Sequence, residues 1–229
     1  MVHDLETSRV RREPHIWFLM EVVVVSTTVL GLVCLVRHLS EQQAGIVIPW
    51  VLTLGALLPT LARGRGLNEL GIQLGRVRQD LVLLGAGAVS VFVVGVIARG
   101  MLDRLLDEPP LTAAVQENRW VVWVLFQIAY VALPEELFFR GYFLGGSARL
   151  LGWDRTTGRS SAEYGGMVLS AGLFAIFHAL SFGSPISLLT FFPGLLFAWV
   201  YVRMQTIVAP VLLHTAANMG YAIMASDVV

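Results

Sequence analysis

Lysine is absent from the 229 residues, cysteine occurs once, and only 14% of side chains are charged. A soluble domain carries about 25% charged residues, so so little charge cannot keep the surface of a soluble chain wet. Sixteen arginines are cancelled by sixteen Asp and Glu, which leaves no charge excess to attract a nucleic acid or another polyanion. The lone Cys34 lies in an apolar run and has no internal partner for a disulfide. Disordered, nucleic-acid-binding and disulfide-scaffold classes are thereby excluded. What is present is apolar: 56% of residues are hydrophobic, and the mean hydropathy is +0.71. The composition is that of a polytopic membrane protein in a lipid bilayer.

A membrane helix needs about 20 mostly apolar residues. Seven segments qualify: Ile16 to Val36, Gly45 to Ala62, Leu81 to Ala98, Trp120 to Leu150, Tyr164 to Leu180, Ile186 to Met204, and Ile207 to Met224. The first lacks the short core and small-residue cleavage site of a signal peptide and reads as a retained anchor. The expected fold is all-α, one integral membrane bundle of about seven helices. Residues 1–119 hold three of them with their loops, and 120–229 hold the four that carry unusual polar residues. Positive residues prefer the cytoplasmic side. With the N-terminus cytoplasmic, eleven arginines fall inside and four (Arg37, Arg99, Arg104, Arg119) outside, while Arg140 is within a span.

Ionisable residues inside a bilayer are costly and are functional candidates by default. Glu135, Glu136 and Arg140 share one span, His178 lies in the next, and His214 and Asn218 lie in the last. Glu136 and Arg140 are four residues apart and can pair on one helix face, whereas Glu135 is turned about 100° away. Phe174 and His178 repeat the four-residue spacing, as do His214 and Asn218. At about 1.5 Å per residue, Glu135 and His178 come roughly 21–23 Å from the same membrane side. On the same rise His214 and Asn218 come roughly 13 and 20 Å from it. The polar groups can therefore converge.

A carboxylate beside an imidazole can hold a water and take its proton. A second imidazole and an amide suit the oxyanion of a tetrahedral intermediate. With Glu136 kept ionised by Arg140, Glu135 is the free base, and the set suits peptide-bond hydrolysis without a serine or cysteine nucleophile. The same Glu and His side chains can ligate zinc. Each feature also has a plainer use: a Glu–Arg helix clamp, a packed histidine, or an asparagine bridging two helices. Other intramembrane protease signatures are missing, with no H-E-x-x-H, no G-x-S-G and no Asp within a span.

Glu135-Glu136-x-x-x-Arg140, Phe174-x-x-x-His178, Phe192-x6-Trp199 and His214-x-x-x-Asn218 resemble, in order, the four motifs of the CPBP intramembrane proteases. That family includes the type II CAAX prenyl endopeptidases. The resemblance covers about Leu133 to Asn218; the first three spans match in character only. It implies an integral-membrane endopeptidase with Glu135 activating water, His178 sharing that water, and His214 and Asn218 forming the oxyanion site. Glu136 and Arg140 would support them, and Phe174, Phe192 and Trp199 would shape the substrate cavity. The family includes members labelled metalloproteases and members resembling glutamate-type proteases that need no metal; the sequence favours no bound cofactor, because no compact three-ligand zinc motif is present and an amide is a poor zinc ligand. If zinc is present, Glu135, His178 and His214 are the expected ligands. The arginine-rich, lysine-free composition suggests a GC-rich bacterial source and a bacterial inner-membrane location. The expected partner is a membrane-anchored peptide or protein substrate, with no nucleic acid. A non-catalytic immunity or scaffold protein using the polar cluster for helix packing is the alternative. A transporter is disfavoured because no matching broken helices occur in two similar halves.

Overall fold

The structure is a computed structural model that describes residues 15–72, 120–150 and 161–226. Among these residues the protein is entirely helical. Helix α1 is His15–Leu39 and α2 is Glu41–Ala62. A long helix, α3, covers residues 120–150; α4 is Ser161–Phe182, α5 is Phe191–Met204 and α6 is Val208–Ser226. Five helical stretches among the described residues are long and apolar enough to cross a membrane: Ile16–Leu39, Gln43–Ala62, Trp120–Ser147, Glu163–Phe182 and Pro185–Met204. The expected span Leu81 to Ala98 lies outside the described residues, and the last expected span is α6. In lipid every backbone N–H and C=O must be satisfied within the chain, which favours unbroken helices wherever the sequence is apolar. Lipid-facing side chains such as Ile16, Trp17, Val24, Trp50 and Leu58 are accordingly left exposed on the outside of the bundle.

The helix ends follow local chemistry. Ser40 caps α2, its hydroxyl oxygen accepting the Gln43 N–H at 3.3 Å. Gly183, at φ +63°, ends α4 in the left-handed conformation that glycine tolerates. The following span begins as a 3₁₀ helix, Pro185–Thr190, before α5. Pro193 then falls in the first turn of α5, where its missing N–H removes no hydrogen bond.

Helix α3 departs from the regular helix that its sequence suggests. Two of its stretches, Gln127–Ala132 and Leu137–Leu144, are π-helical and flank the α-helical turn Leu133–Glu136. Such wide turns are rare and concentrate at functional sites. A 1.5 Å rise per residue therefore does not hold between Glu135 and Arg149.

One core joins all six helices, with Val29 and Val33 from α1, Leu52 and Ala56 from α2, and Phe138 and Phe139 from α3. Phe174 and Phe177, Phe197, and Leu213 complete it from α4, α5 and α6. The N-terminal part is also tied to the rest by polar contacts. Glu21 of α1 pairs with Arg63 and accepts the Tyr142 hydroxyl at 3.2 Å. The 3₁₀ turn Leu67–Leu70 lies against Gly141, and the Gly71 carbonyl accepts the Ile207 N–H at 2.8 Å just before α6.

A β-carbon at Gly141 would stand 2.9 Å from the Leu70 carbonyl oxygen, a backbone atom. Overpacking of this kind costs typically 1–3 kcal/mol. Gly141→Ala is expected to lower unfolding stability by about that amount in a denaturing-detergent titration of the micellar protein. An unchanged midpoint would show that the turn yields freely.

Candidate active site

The turn Leu133–Glu136 sets two adjacent carboxylates on different faces of α3. Glu136 and Arg140 are both 0% exposed, and Glu136 Oε1 accepts from Arg140 Nη1 at 2.9 Å. Arg140 donates its other terminal nitrogen to the Gly194 carbonyl of α5, also at 2.9 Å. Its guanidinium lies over the ring of Phe174, 4.4 Å from the centroid, and over that of Phe197 at 5.3 Å. Cation–π contacts of this kind strengthen when desolvated. Arg140 thus joins α3, α4 and α5 in one buried contact set. Gly194 allows it, since a β-carbon there would meet Phe174 at 3.1 Å and Arg140 at 3.5 Å.

The two histidines come from α4 and α6. His178 Nδ1 lies 2.9 Å from the Phe174 carbonyl, and His214 Nδ1 lies 2.8 Å from Glu136 Oε1. A carbonyl and a carboxylate only accept, so each Nδ1 carries hydrogen, and Nε2 is the ring nitrogen left to face the site. Those Nε2 atoms approach the same oxygen: Glu135 Oε2 is 3.6 Å from that of His178 and 3.9 Å from that of His214. Glu135 Oε2 is a buried atom with no hydrogen-bond partner of its own. Separations of 3.6–3.9 Å are too long for direct bonds but suit a bridging water.

The rings are held by aromatic neighbours. Phe174 tilts against His178 at 4.2 Å between centroids, and Phe197 stacks on His214 at 5.0 Å with 20° between planes. Asn218, one turn beyond His214 on α6, donates from Nδ2 to the Gln127 side-chain oxygen of α3 at 2.8 Å.

The structure therefore brings together Glu135, Glu136, Arg140, Phe174, His178 and His214, with Asn218 on the same stripe of α6 as His214. Phe192 lies elsewhere. It is 63% exposed at the first turn of α5, its ring against Phe191. Five residues at about 100° each separate it from Phe197, placing the two on different sides of the helix. Trp199 is partly buried and stands beneath the Arg203 guanidinium at 5.4 Å. Phe192 thus stands apart from the histidines, and Phe197 occupies the place beside His214. Sequence reasoning also passed over Gln127, a polar residue in an otherwise apolar run, and Gly194. Both carry a signal: an amide in a span on one hand, and a glycine three residues before an aromatic on the other.

Among the described residues, no three His, Cys, Asp or Glu side chains group closely enough to hold a metal ion. Zinc would require Glu135, His178 and His214 to draw in around it, and their donor atoms are of the right type.

Compared with family models, residues 117–220, just under half of the chain, match Type II CAAX prenyl endopeptidase Rce1-like. The match encloses every residue of the cluster. Comparison with curated proteins and comparison with solved structures return no match.

Proposed function

We propose that this integral membrane protein, whose residues 117–220 match Type II CAAX prenyl endopeptidase Rce1-like, is an endopeptidase that hydrolyses a peptide bond in a membrane-anchored substrate. The observation that carries the reading is the approach of two ring nitrogens, Nε2 of His178 and Nε2 of His214, to one carboxylate oxygen, Glu135 Oε2. A water that donates one hydrogen to Glu135 and the other to His178 turns its lone pairs outward, towards a scissile carbonyl. As the oxygen attacks, its proton passes to Glu135, which then delivers it to the departing amine. His214 has committed Nδ1–H to Glu136, so it can donate from Nε2 to the oxyanion only as an imidazolium. The Glu136 carboxylate is the counter-ion for that form. Asn218 supplies an uncharged donor beside it.

The mechanism proposed needs no metal. The substrate end left after cleavage would be a short C-terminal piece, as the CAAX-type family implies, and a bacterial membrane peptide or sorting tail is the expected source.

The test is cleavage of a set of membrane-anchored fluorogenic peptides by the purified chain in detergent, with and without chelator. Cleavage by the wild type, loss in Glu135→Gln and indifference to chelator are expected. Loss on chelation with recovery on added zinc would keep the protease and reassign Glu135, His178 and His214 as ligands. Undiminished cleavage by Glu135→Gln would overturn the reading.

A further inference from the structure

Asn218 has one rotor that matters for an oxyanion: the torsion that decides whether its N–H₂ or its carbonyl end faces a given direction. The two ends are nearly the same size, so packing alone does not choose between them. Presenting the carbonyl to a developing negative oxygen would repel it. A hydrogen bond can hold that torsion, and the structure shows one, from Asn218 Nδ2 to the Gln127 side-chain oxygen.

Gln127 opens the π-helical stretch Gln127–Ala132 of α3, and Asn218 lies on α6. Its side-chain oxygen accepts from Asn218 Nδ2 at 2.8 Å. Both residues are partly buried, where an amide gains more from a fixed partner than it does in water. The bond uses one of two hydrogens on Nδ2 and fixes the amide plane, leaving the second N–H committed to a single direction. The same π turn carries Tyr130, whose hydroxyl donates to the Ile46 carbonyl of α2 at 2.7 Å. One wide turn therefore touches α6 through Gln127 and α2 through Tyr130.

We propose that Gln127 is a positioning residue for the hydrolysis: it holds the plane of the Asn218 amide, with the free N–H turned to the oxyanion. The inference rests on the protease reading above and adds a residue to it.

A mere staple between α3 and α6 would behave differently in four measurements on the full-length micellar protein. First, Gln127→Met, similar in length but without an acceptor, is expected to lower kcat on the cleaved peptide by about 10- to 100-fold, the range for residues that orient a functional ligand. Its KM should hold within about twofold, because such an interaction is made only in the transition state. Second, the same substitution placed in an Asn218→Ala background should change kcat no further, since Gln127 acts only through that amide. Additive losses would overturn the proposal. Third, Tyr130→Phe breaks the other tether of the same turn and should leave kcat unchanged; an equal loss there would mean that the turn matters only for packing. Fourth, the side-chain ¹⁵N–¹H signals of Asn218 should show one shifted, slowly exchanging proton in the wild type, and Gln127→Met should remove it. Identical Asn218 signals in both proteins would overturn the proposal whether or not any peptide is cleaved. Absence of cleavage by the wild type would instead sink the protease reading and leave the amide contact, read from the Asn218 signals, as a separate finding.

Discussion

Glu135→Gln should leave a folded, membrane-inserted protein that has lost peptide cleavage by about 10³-fold or more, within the 10²–10⁴ range for a positioned general base. The substitution is nearly isosteric and touches no structural bond: Glu135 Oε2 has no hydrogen-bond partner, while the clamp runs through Glu136. The neutral amide can still dock a water, but it cannot take the proton. A structural role for Glu135 predicts the reverse, with altered stability and intact turnover where turnover exists. Measuring kcat alongside the unfolding midpoint separates the two outcomes. A midpoint shift as large as that of a core substitution, without loss of kcat, would contradict the assignment.

The second large effect is on stability. Arg140→Met should destabilise the bundle by about 3–5 kcal/mol, the range for leaving one partner of a buried ion pair uncompensated. Arg140 is 0% exposed and serves four partners at once: Glu136, the Gly194 carbonyl, and the faces of Phe174 and Phe197. Its removal leaves the Glu136 carboxylate with His214 alone. The double variant Glu136→Gln with Arg140→Met should recover part of the stability, because both charges are then gone together. It should not recover cleavage, since His214 has then lost the carboxylate that supports its charged form. Denaturing-detergent titration of the three proteins checks the order. A single variant as stable as the wild type would show that the pair contributes only orientation.

Much of this arrangement is visible in the linear sequence because lipid makes every charged group conspicuous. Glu135, Glu136, Arg140, His178 and His214 stand out in apolar runs, and four-residue spacing correctly pairs Glu136 with Arg140 and aligns Phe174 with His178. The partner of His214 was not legible. Nothing in spacing reveals that its Nδ1 meets Glu136 across 78 residues. Which side of α5 Phe192 takes was not legible either, because a helix of uncertain start has an uncertain phase. Once Pro185–Thr190 forms a 3₁₀ turn, the rotation of α5 follows from where that turn ends. Glu21 in the first span was likewise a visible charge, yet its partners Arg63 and Tyr142 come from two other helices. The π turns of α3 have no simple signature, since their residues are ordinary helix formers and the extra width is set by tertiary fit.

Those wide turns affect how this segment can change over evolutionary time. A π turn accommodates a residue that an α turn would not need. A deletion of one residue between Gln127 and Ala132 could be absorbed as ordinary α-helix, with no backbone group left unsatisfied. Because the wide turn already holds one residue more than an α turn over the same rotation, the helix on either side would keep its phase, and only side chains inside the turn would change place. In this stretch the inherited quantity is the phase of the flanking helix, and a related sequence one residue shorter should be aligned with its gap inside Gln127–Ala132, not in the α-helical turns on either side.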